Sequence, residues 1–359
     1  MKTQDFFNKV QLSLQNKLPF VLYRKPTAPE NSEFLIKSFF QKNKQLYVAE
    51  NYTESGFVMA PFDLNAQKSP LIPTKKSEQI NISLHTSDLS FAENQNPLDK
   101  NIQETDKQNH LDLVERGIQE IKKGKLKKVV LSRKINKTIH PDIPAIFKRL
   151  LLTYPTAFVY CWYHPEIGLW MGATPETLLK INKENLTTMA LASTKPVEGK
   201  KPPQWTSKEI QEQQFVTDFI TDTLKEEVTQ LKVGKVENIR AGKLWHLKCD
   251  ISAKMKSPEN LKQILKDLHP TPAVCGMPKL ASKDFIIDEE SYNREFYTGF
   301  LGELNLENKS ELFVNLRCMQ LHSNYCEIYV GGGIVMDSIP ESEWEETVNK
   351  SQTMLDIVE

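Results

Sequence analysis

Lys128 stands at the mouth of an apolar triplet in "KLKKVVLSRK", residues 125–134. Val129, Val130 and Leu131 read as a short buried strand. An ammonium at that point either escapes to solvent or works in a pocket, where an enclosed lysine can lose its proton near neutral pH and act as a base. Lys127 points the other way, because side chains alternate along a strand. Carboxylates that could accompany Lys128 sit on two helices. Thr206 and Glu209 form a T-x-x-E capping box that opens a helix over about 206–231. Phe215, Phe219, Ile220, Leu224 and Val228 mark its apolar face. Glu212 falls on that face, where a carboxylate needs a proton, a partner or a metal. The alternative is a wet first-turn residue favoured by the helix dipole. In "PESEWEETVNKSQTML", Pro340 starts a last helix. Glu343, Glu346 and Lys350 line one stripe of it, beside Trp344, Val348, Ser351 and Leu355. A solvated Glu–Lys face explains that stripe equally well.

Three further stretches suit an anionic substrate. "EIYVGGGIV" puts Gly331, Gly332 and Gly333 inside a strand, which weakens it unless a ligand or another group must approach the backbone; a bulge is the alternative. "ELFVNLRCMQL" places Arg317 in an apolar strand, where a guanidinium needs a partner and is well suited to grip a carboxylate. Glu176, in "GATPE", follows a strand end where an acid can face a cleft. Two helical glutamates could hold a hard cation such as Mg²⁺. There is no P-loop, GxGxxG, GxSxG or HExxH.

The elements that must position these groups belong to an ordinary globular chain. It has 359 residues, 39% hydrophobic and 26% charged, enough for one large domain or two average ones. Basic and acidic residues balance at 46 each, which gives no electrostatic reason to expect nucleic acid or an anionic membrane. The polar start, "MKTQDFFNKVQLSLQNKLPF", lacks the apolar core of a signal peptide, and no run reaches the roughly 18 apolar residues of a membrane span. Five scattered cysteines without a CxxC read as reduced thiols in a cytoplasmic protein with no zinc site. The first 65 residues alternate short strands with polar segments. Residues 65–110 are rich in Lys, Gln, Asn, Ser and Pro, and only "QINISL" promises order, so a long loop is expected there. "HLDLVERGIQEIKKGK" and "PAIFKRLLLTYP" read as helices, "AFVYCWYH" and "LWMGATPE" as strands.

Taken together, the motifs resemble the chorismate-utilising enzymes, which include isochorismate, salicylate, anthranilate and aminodeoxychorismate synthases. The matching stretches run in family order: "KVVLSRK", "GATPETLL", "ALASTKP", "QEQQFVTDFI", "LWHLKCDIS", "LHPTPAVCGMP", "REFYTGFLG", "FVNLRCMQL", "YVGGGIV" and "PESEWEETVNK", spanning about 105 to 355. The resemblance implies an α+β, two-lobed fold with large antiparallel sheets packed centrally, helices outside and the active site in a cleft. Residues 1–105 would be a strand-rich part of that same fold and 106–359 the chorismate-binding catalytic region.

The member is narrowed by particular residues. Enzymes of this family that add water to chorismate carry a lysine before the "VVL" strand, as Lys128 stands here, whereas the ammonia-using members usually do not. Covalent aminodeoxychorismate synthases place a lysine where this chain has Ala192, and the tryptophan-binding "LLES" signature is missing. Isochorismate synthase, an isomerase of menaquinone or siderophore biosynthesis, and salicylate synthase remain. "GATPE" and "HPTPAVCG" with the acidic last helix favour the first; an inactive chorismate-binding subunit is the least favoured reading. The resemblance implies Mg²⁺ held by Glu212 and Glu346, with Glu343 helping through a water. Lys128 would activate water for attack at C2, and Glu176 would protonate the hydroxyl leaving C4. Arg317, Tyr297 and the Gly331 and Gly332 N–H groups would hold the enolpyruvyl carboxylate. Ser193, Thr194 and Lys350 would surround the ring carboxylate and metal, with His246 near the substrate. Ser193 departs from the usual family glycine, which narrows that space, and Gln213 from the commoner histidine. His269 has a structural role in its turn as its alternative to a family role. A monomer acting on chorismate, with no nucleic acid, membrane or glutamine amidotransferase partner, is expected.

Overall fold

A computed structural model of the chain describes residues 1–27, 33–89, 104–197, 201–241 and 244–358. It begins with helix α1 (Thr3–Gln15) and strands β1 (Phe20–Arg24), β2 (Glu33–Gln41), β3 (Tyr47–Val48), β4 (Gly56–Ala60), β5 (Pro70–Pro73) and β6 (Ser77–His85). Helix α2 (Glu104–Lys122), strand β7 (Lys128–Thr138), helix α3 (Ile143–Thr153) and strands β8 (Phe158–His164), β9 (Gly168–Thr174), β10 (Thr177–Asn182) and β11 (Asn185–Pro196) follow. Helix α4 (Ser207–Leu224), strands β12 (Val228–Ala241) and β13 (Leu244–Met255), helix α5 (Leu261–Leu268), strand β14 (Gly276–Met277) and helix α6 (Lys279–Glu289) come next. The chain then runs through β15 (Phe300–Leu306), β16 (Lys309–Val314), β17 (Cys318–Leu321), β18 (Tyr325–Ile334) and helix α7 (Pro340–Val358).

The described strands form two nine-stranded antiparallel sheets, ordered β14-β7-β18-β17-β9-β8-β1-β2-β6 and β12-β13-β11-β10-β16-β15-β4-β5-β3. An aromatic layer joins them: Tyr23, Phe158, Tyr160, Trp162, Trp170 and Tyr329 from the first sheet meet Phe57, Leu301 and Phe313 from the second. On its outer face the first sheet packs against α1, α3 and α7, through Phe6, Phe147, Leu150, Met354 and Ile357. The second packs against α4 and α5, through Val216, Ile220, Ile264 and Leu265. Sheets packed centrally with helices outside is the expected architecture. The N-terminal third contributes strands to both sheets. All five cysteines are buried and free, and no helix among the described residues is long and apolar enough to cross a membrane.

Three expectations need correction. The stretch 65–89 is not a long loop: it holds β5, β6 and two short 3-10 turns, while 90–103 lies outside the described residues. β6 turns Ile82 and Leu84 inward, and its polar residues occupy the solvent face of an edge strand. The helix expected to reach 231 ends at Leu224, because the chain reverses and Val228 begins an edge strand paired with β13. Arg317 does not lie in a strand. It sits between β16 and β17 with φ +47°, where the backbone passes from one sheet to the other.

A buried ion pair locks the turn after α6 onto β7. Arg294 Nη2 lies 2.5 Å from Glu290 Oε1, each side chain being 1% exposed. Arg294 also donates to the carbonyls of Val130 (2.6 Å) and Val274 (3.0 Å), and Glu290 accepts from the Ser132 N–H (2.7 Å) and hydroxyl (2.8 Å). Removing one member strands a buried charge. Arg294→Met is therefore expected to cost about 3–5 kcal/mol in urea unfolding, and Arg294→Met/Glu290→Gln to recover part of it. A single-variant loss below about 1 kcal/mol would contradict this role.

Candidate functional site

β7 delivers Lys128 as its first residue, paired with Met277 of β14. The Lys128 side chain is only 15% exposed, and its Nζ donates to Glu212 Oε1 at 2.9 Å. Lys127 is exposed and turns away, its ammonium 5.9 Å from the centre of the Phe215 ring. That contact explains a misread helix face. In α4 the buried residues are Gln213, Val216, Thr217, Ile220 and Leu224, whereas Phe215 is exposed. Val216, Ile220 and Leu224 recur at four-residue spacing against β11 and α5. Glu212 is thus rotated off the core side to the rim, 39% exposed, where it meets Lys128.

The capping box places the start of α4. The Thr206 N–H donates to Glu209 Oε2 at 2.6 Å. Beside it, β11 bulges between Ala192 and Thr194, and Ser193 takes φ +60°. The Ser193 hydroxyl lies 2.8 Å from the Glu209 carbonyl and 3.2 Å from Glu212 Oε2. It is turned onto α4. Thr194 pairs with His246 across β11 and β13, and the side chain of Thr194 lies outside the described residues. Burial lowers the His246 pKa, a hydrogen bond to the Ser193 backbone opposes this, and Arg317 and Lys350 lower it further.

Glu176 follows β9 on a turn whose carbonyl accepts the Val314 N–H at 2.9 Å. Burial pushes its carboxyl up to about 7, against the pull of Lys128 and Arg317. Burial lowers the Arg317 pKa, with Tyr154 and Glu176 opposing. Its own carbonyl accepts the Ala173 N–H at 3.0 Å, which anchors the crossover to β9. Lys128, Glu176 and Arg317 are therefore electrostatic neighbours.

The glycine run of β18 is the other wall. A Cβ on Gly333 would lie 3.0 Å from Lys128 Cε, and one on Gly331 would lie 3.1 Å from the Tyr297 hydroxyl and 2.8 Å from the Leu131 carbonyl. Tyr297 is buried and stacks on Tyr329, with centroids 5.4 Å apart. A Cβ on Gly332 would face Glu343 Oε2 at 3.4 Å and Glu346 Oε1 at 3.6 Å. Lys350 bonds Glu346 at 2.6 Å and donates to the Gly331 carbonyl at 3.0 Å. Glu343 and Glu346 of α7 thus gather at Gly332, whereas Glu212 pairs with Lys128. Among the described residues no three His, Cys, Asp or Glu side chains form a metal cage.

Two groups escaped the sequence reading. Glu290 and Arg294, spaced i, i+4, fix the turn that carries Tyr297. Arg133 stacks over Trp344 at 4.0 Å and donates to Thr347 at 2.7 Å, which seats α7 on β7. A basic residue two positions after the "VVL" triplet was the available signal. His269 is buried, its Nε2 3.0 Å from the Pro61 carbonyl, consistent with a structural role.

Glu176 carries a pH signature. Its pKa rises from an ordinary 4.5 to about 7 on folding. Between those values the folded chain holds a proton that the unfolded chain has lost, so stability falls as pH rises. Wild-type stability relative to Glu176→Gln should fall from about pH 4.5 to 7 and level off above it, in urea melts across pH. A pH-independent difference would contradict the environment described.

Comparison with known proteins follows this geometry. A family model described as "Chorismate binding enzyme" matches residues 24–359. Isochorismate synthase EntC of Escherichia coli (strain K12) is 31% identical over 245 residues, covering 64% of this chain and 62% of that protein. Isochorismate synthase MenF of Pasteurella multocida (strain Pm70) is 30% identical over 263 residues, covering 68% and 60%. The match therefore spans about three fifths of the length of these curated relatives. The solved structure of MenF, the menaquinone-specific isochorismate synthase from Escherichia coli, superposes with a TM-score of 0.76 at 21% identity, over 95% of this chain and 89% of that one, a likeness of fold. The motifs, the paired antiparallel sheets and the family match agree: the chain belongs to the chorismate binding enzyme family.

Proposed function

We propose that this protein is an isochorismate synthase, converting chorismate to isochorismate. The observation that carries the reading is Lys128 and Glu176 as electrostatic neighbours, one a partly enclosed amine and the other a carboxyl pushed up to about 7. Relatives named isochorismate synthases support it. The reaction needs a base for the attacking water and an acid for the departing hydroxyl. Lys128 takes a proton from the water that attacks C2. Glu176, about half protonated near neutral pH where an ordinary carboxyl would be ionised, gives its proton to the hydroxyl leaving C4. Water as nucleophile requires no ammonia-supplying subunit.

Arg317 and the Tyr297 hydroxyl, which lies beside Gly331, orient the enolpyruvyl carboxylate, a task suited to a guanidinium's paired donors. The donor set fits a hard divalent cation: carboxylate oxygens of Glu343 and Glu346 converge where Gly332 has no side chain. Glu212 and Glu346 would hold Mg²⁺, with Glu343 through a water, after releasing Lys128 and Lys350. Bound there, the cation supplies charge neutralisation and a template for the ring carboxylate. Lys350, which donates to the Gly331 carbonyl, and the Thr194–His246 rung would surround the ring carboxylate.

Chromatography of products formed from chorismate and Mg²⁺ tests the proposal. Isochorismate without pyruvate, abolished by a chelator, is expected. Salicylate with equimolar pyruvate would replace the reading with salicylate synthase, and unconsumed chorismate would overturn it.

A further inference from the structure

Both oxygens of the Glu212 carboxylate are engaged. Oε1 accepts from Lys128 Nζ at 2.9 Å, and Oε2 lies 3.2 Å from the Ser193 hydroxyl, whose one proton it shares with a second acceptor. The same hydroxyl lies 2.8 Å from the carbonyl of Glu209, one turn earlier on α4. Ser193 is 6% exposed, so water competes poorly for that hydroxyl. Its backbone adopts φ +60° at the β11 bulge, a conformation that favours glycine. A serine held in that region, with its hydroxyl spent on α4, is a device for fixing the first turn of the helix.

We propose that Ser193 is a positioning residue that holds Glu212 on Lys128 and away from a divalent cation, so that the ligand-free protein binds metal more weakly than its carboxylates allow. This rests on the reading that Glu212 is a metal ligand. A cation reaching Glu212 competes with both donors for the carboxylate's charge and must turn it away from them to bind through both oxygens. Loss of the ammonium breaks an ion pair with a poorly exposed lysine. Loss of the hydroxyl breaks a hydrogen bond to a charged acceptor, which is stronger than one between neutral groups. With either donor in place the carboxylate is partly satisfied before the metal arrives. Substrate binding, by drawing Lys128 to the attacking water, would remove the first of these and let Glu212 turn.

The test is binding of Mn²⁺, a spectroscopic stand-in for Mg²⁺, to the full chain without substrate, following the free-ion signal by electron paramagnetic resonance. Ser193→Gly removes the hydroxyl and suits φ +60°. It is expected to bind Mn²⁺ about fivefold more tightly than wild type, the worth of one hydrogen bond. Ser193→Ala, which keeps the Cβ, should move the same way, so the result does not hang on one variant folding. The gain should vanish in Ser193→Gly/Glu212→Gln. Unchanged affinity in both single variants, a gain that persists without Glu212, or no Mn²⁺ binding by any form would overturn the proposal. Product analysis separates it from the functional reading. Wild type that makes isochorismate with Ser193→Gly binding metal like wild type would remove only the positioning role. Tighter binding by the variants in a protein that leaves chorismate unconsumed would remove only the isomerase.

Discussion

Three consecutive glycines in β18 let side chains from neighbouring elements close on one strand. Gly331 admits the Tyr297 hydroxyl, Gly332 leaves room for Glu343 and Glu346, and Gly333 lets the Lys128 stem cross the backbone. Any larger residue at Gly331 would press a methyl to 2.8 Å from the Leu131 carbonyl of the paired strand. The strand keeps its ladder with β7 from Tyr325 to Ile334, so the openness lies in the side-chain layer and not in the hydrogen bonding. Glycine normally weakens a strand, and here the register with β7 on one edge restores what the missing side chains do not supply.

The rest of the architecture serves that surface. β7 must be held in place because it carries Lys128, and the Arg294–Glu290 pair holds it by bonding Val130 and Ser132. α7 must sit over β18 because it carries Glu343 and Glu346, and Arg133 stacked on Trp344 seats it. Arg317 reaches the same region because the chain changes sheets at that residue. Tyr23 and Lys37 of the first sheet, with Lys25 just after β1, surround Glu303 of the second at 2.6 to 2.9 Å. This polar tie sits beside the aromatic layer and sets how the two sheets align.

Much of this was legible in the residues. The apolar triplet after Lys128, the capping box at Thr206 and the acid-rich final helix all fall where their patterns put them. The likeness in ordered motifs gave the sheets-inside, helices-outside arrangement, which no periodicity alone contains. The failures have specific causes. Phe215 looked like core because it is apolar, but its ring lies beside the Lys127 ammonium at the surface. β5 was hidden because prolines begin and end it, whereas "QINISL" marks β6 through its alternating Ile80, Ile82 and Leu84. Arg317 was placed in a strand because a crossover between sheets leaves no mark beyond one residue with positive φ. The Ser193 contact depends on a bulge and a backbone angle, neither of which is written in residue type.

The central claim is that Lys128 performs chemistry and is not a buried partner for Glu212. The most direct measurement is turnover of chorismate by Lys128→Gln, with binding of chorismate by the same variant followed calorimetrically. Glutamine is one atom shorter but keeps a polar hydrogen-bond donor on that side while removing the basic amine. The account predicts turnover reduced by roughly 100-fold or more, as for loss of a general base, with chorismate still bound. Turnover near that of wild type would contradict it.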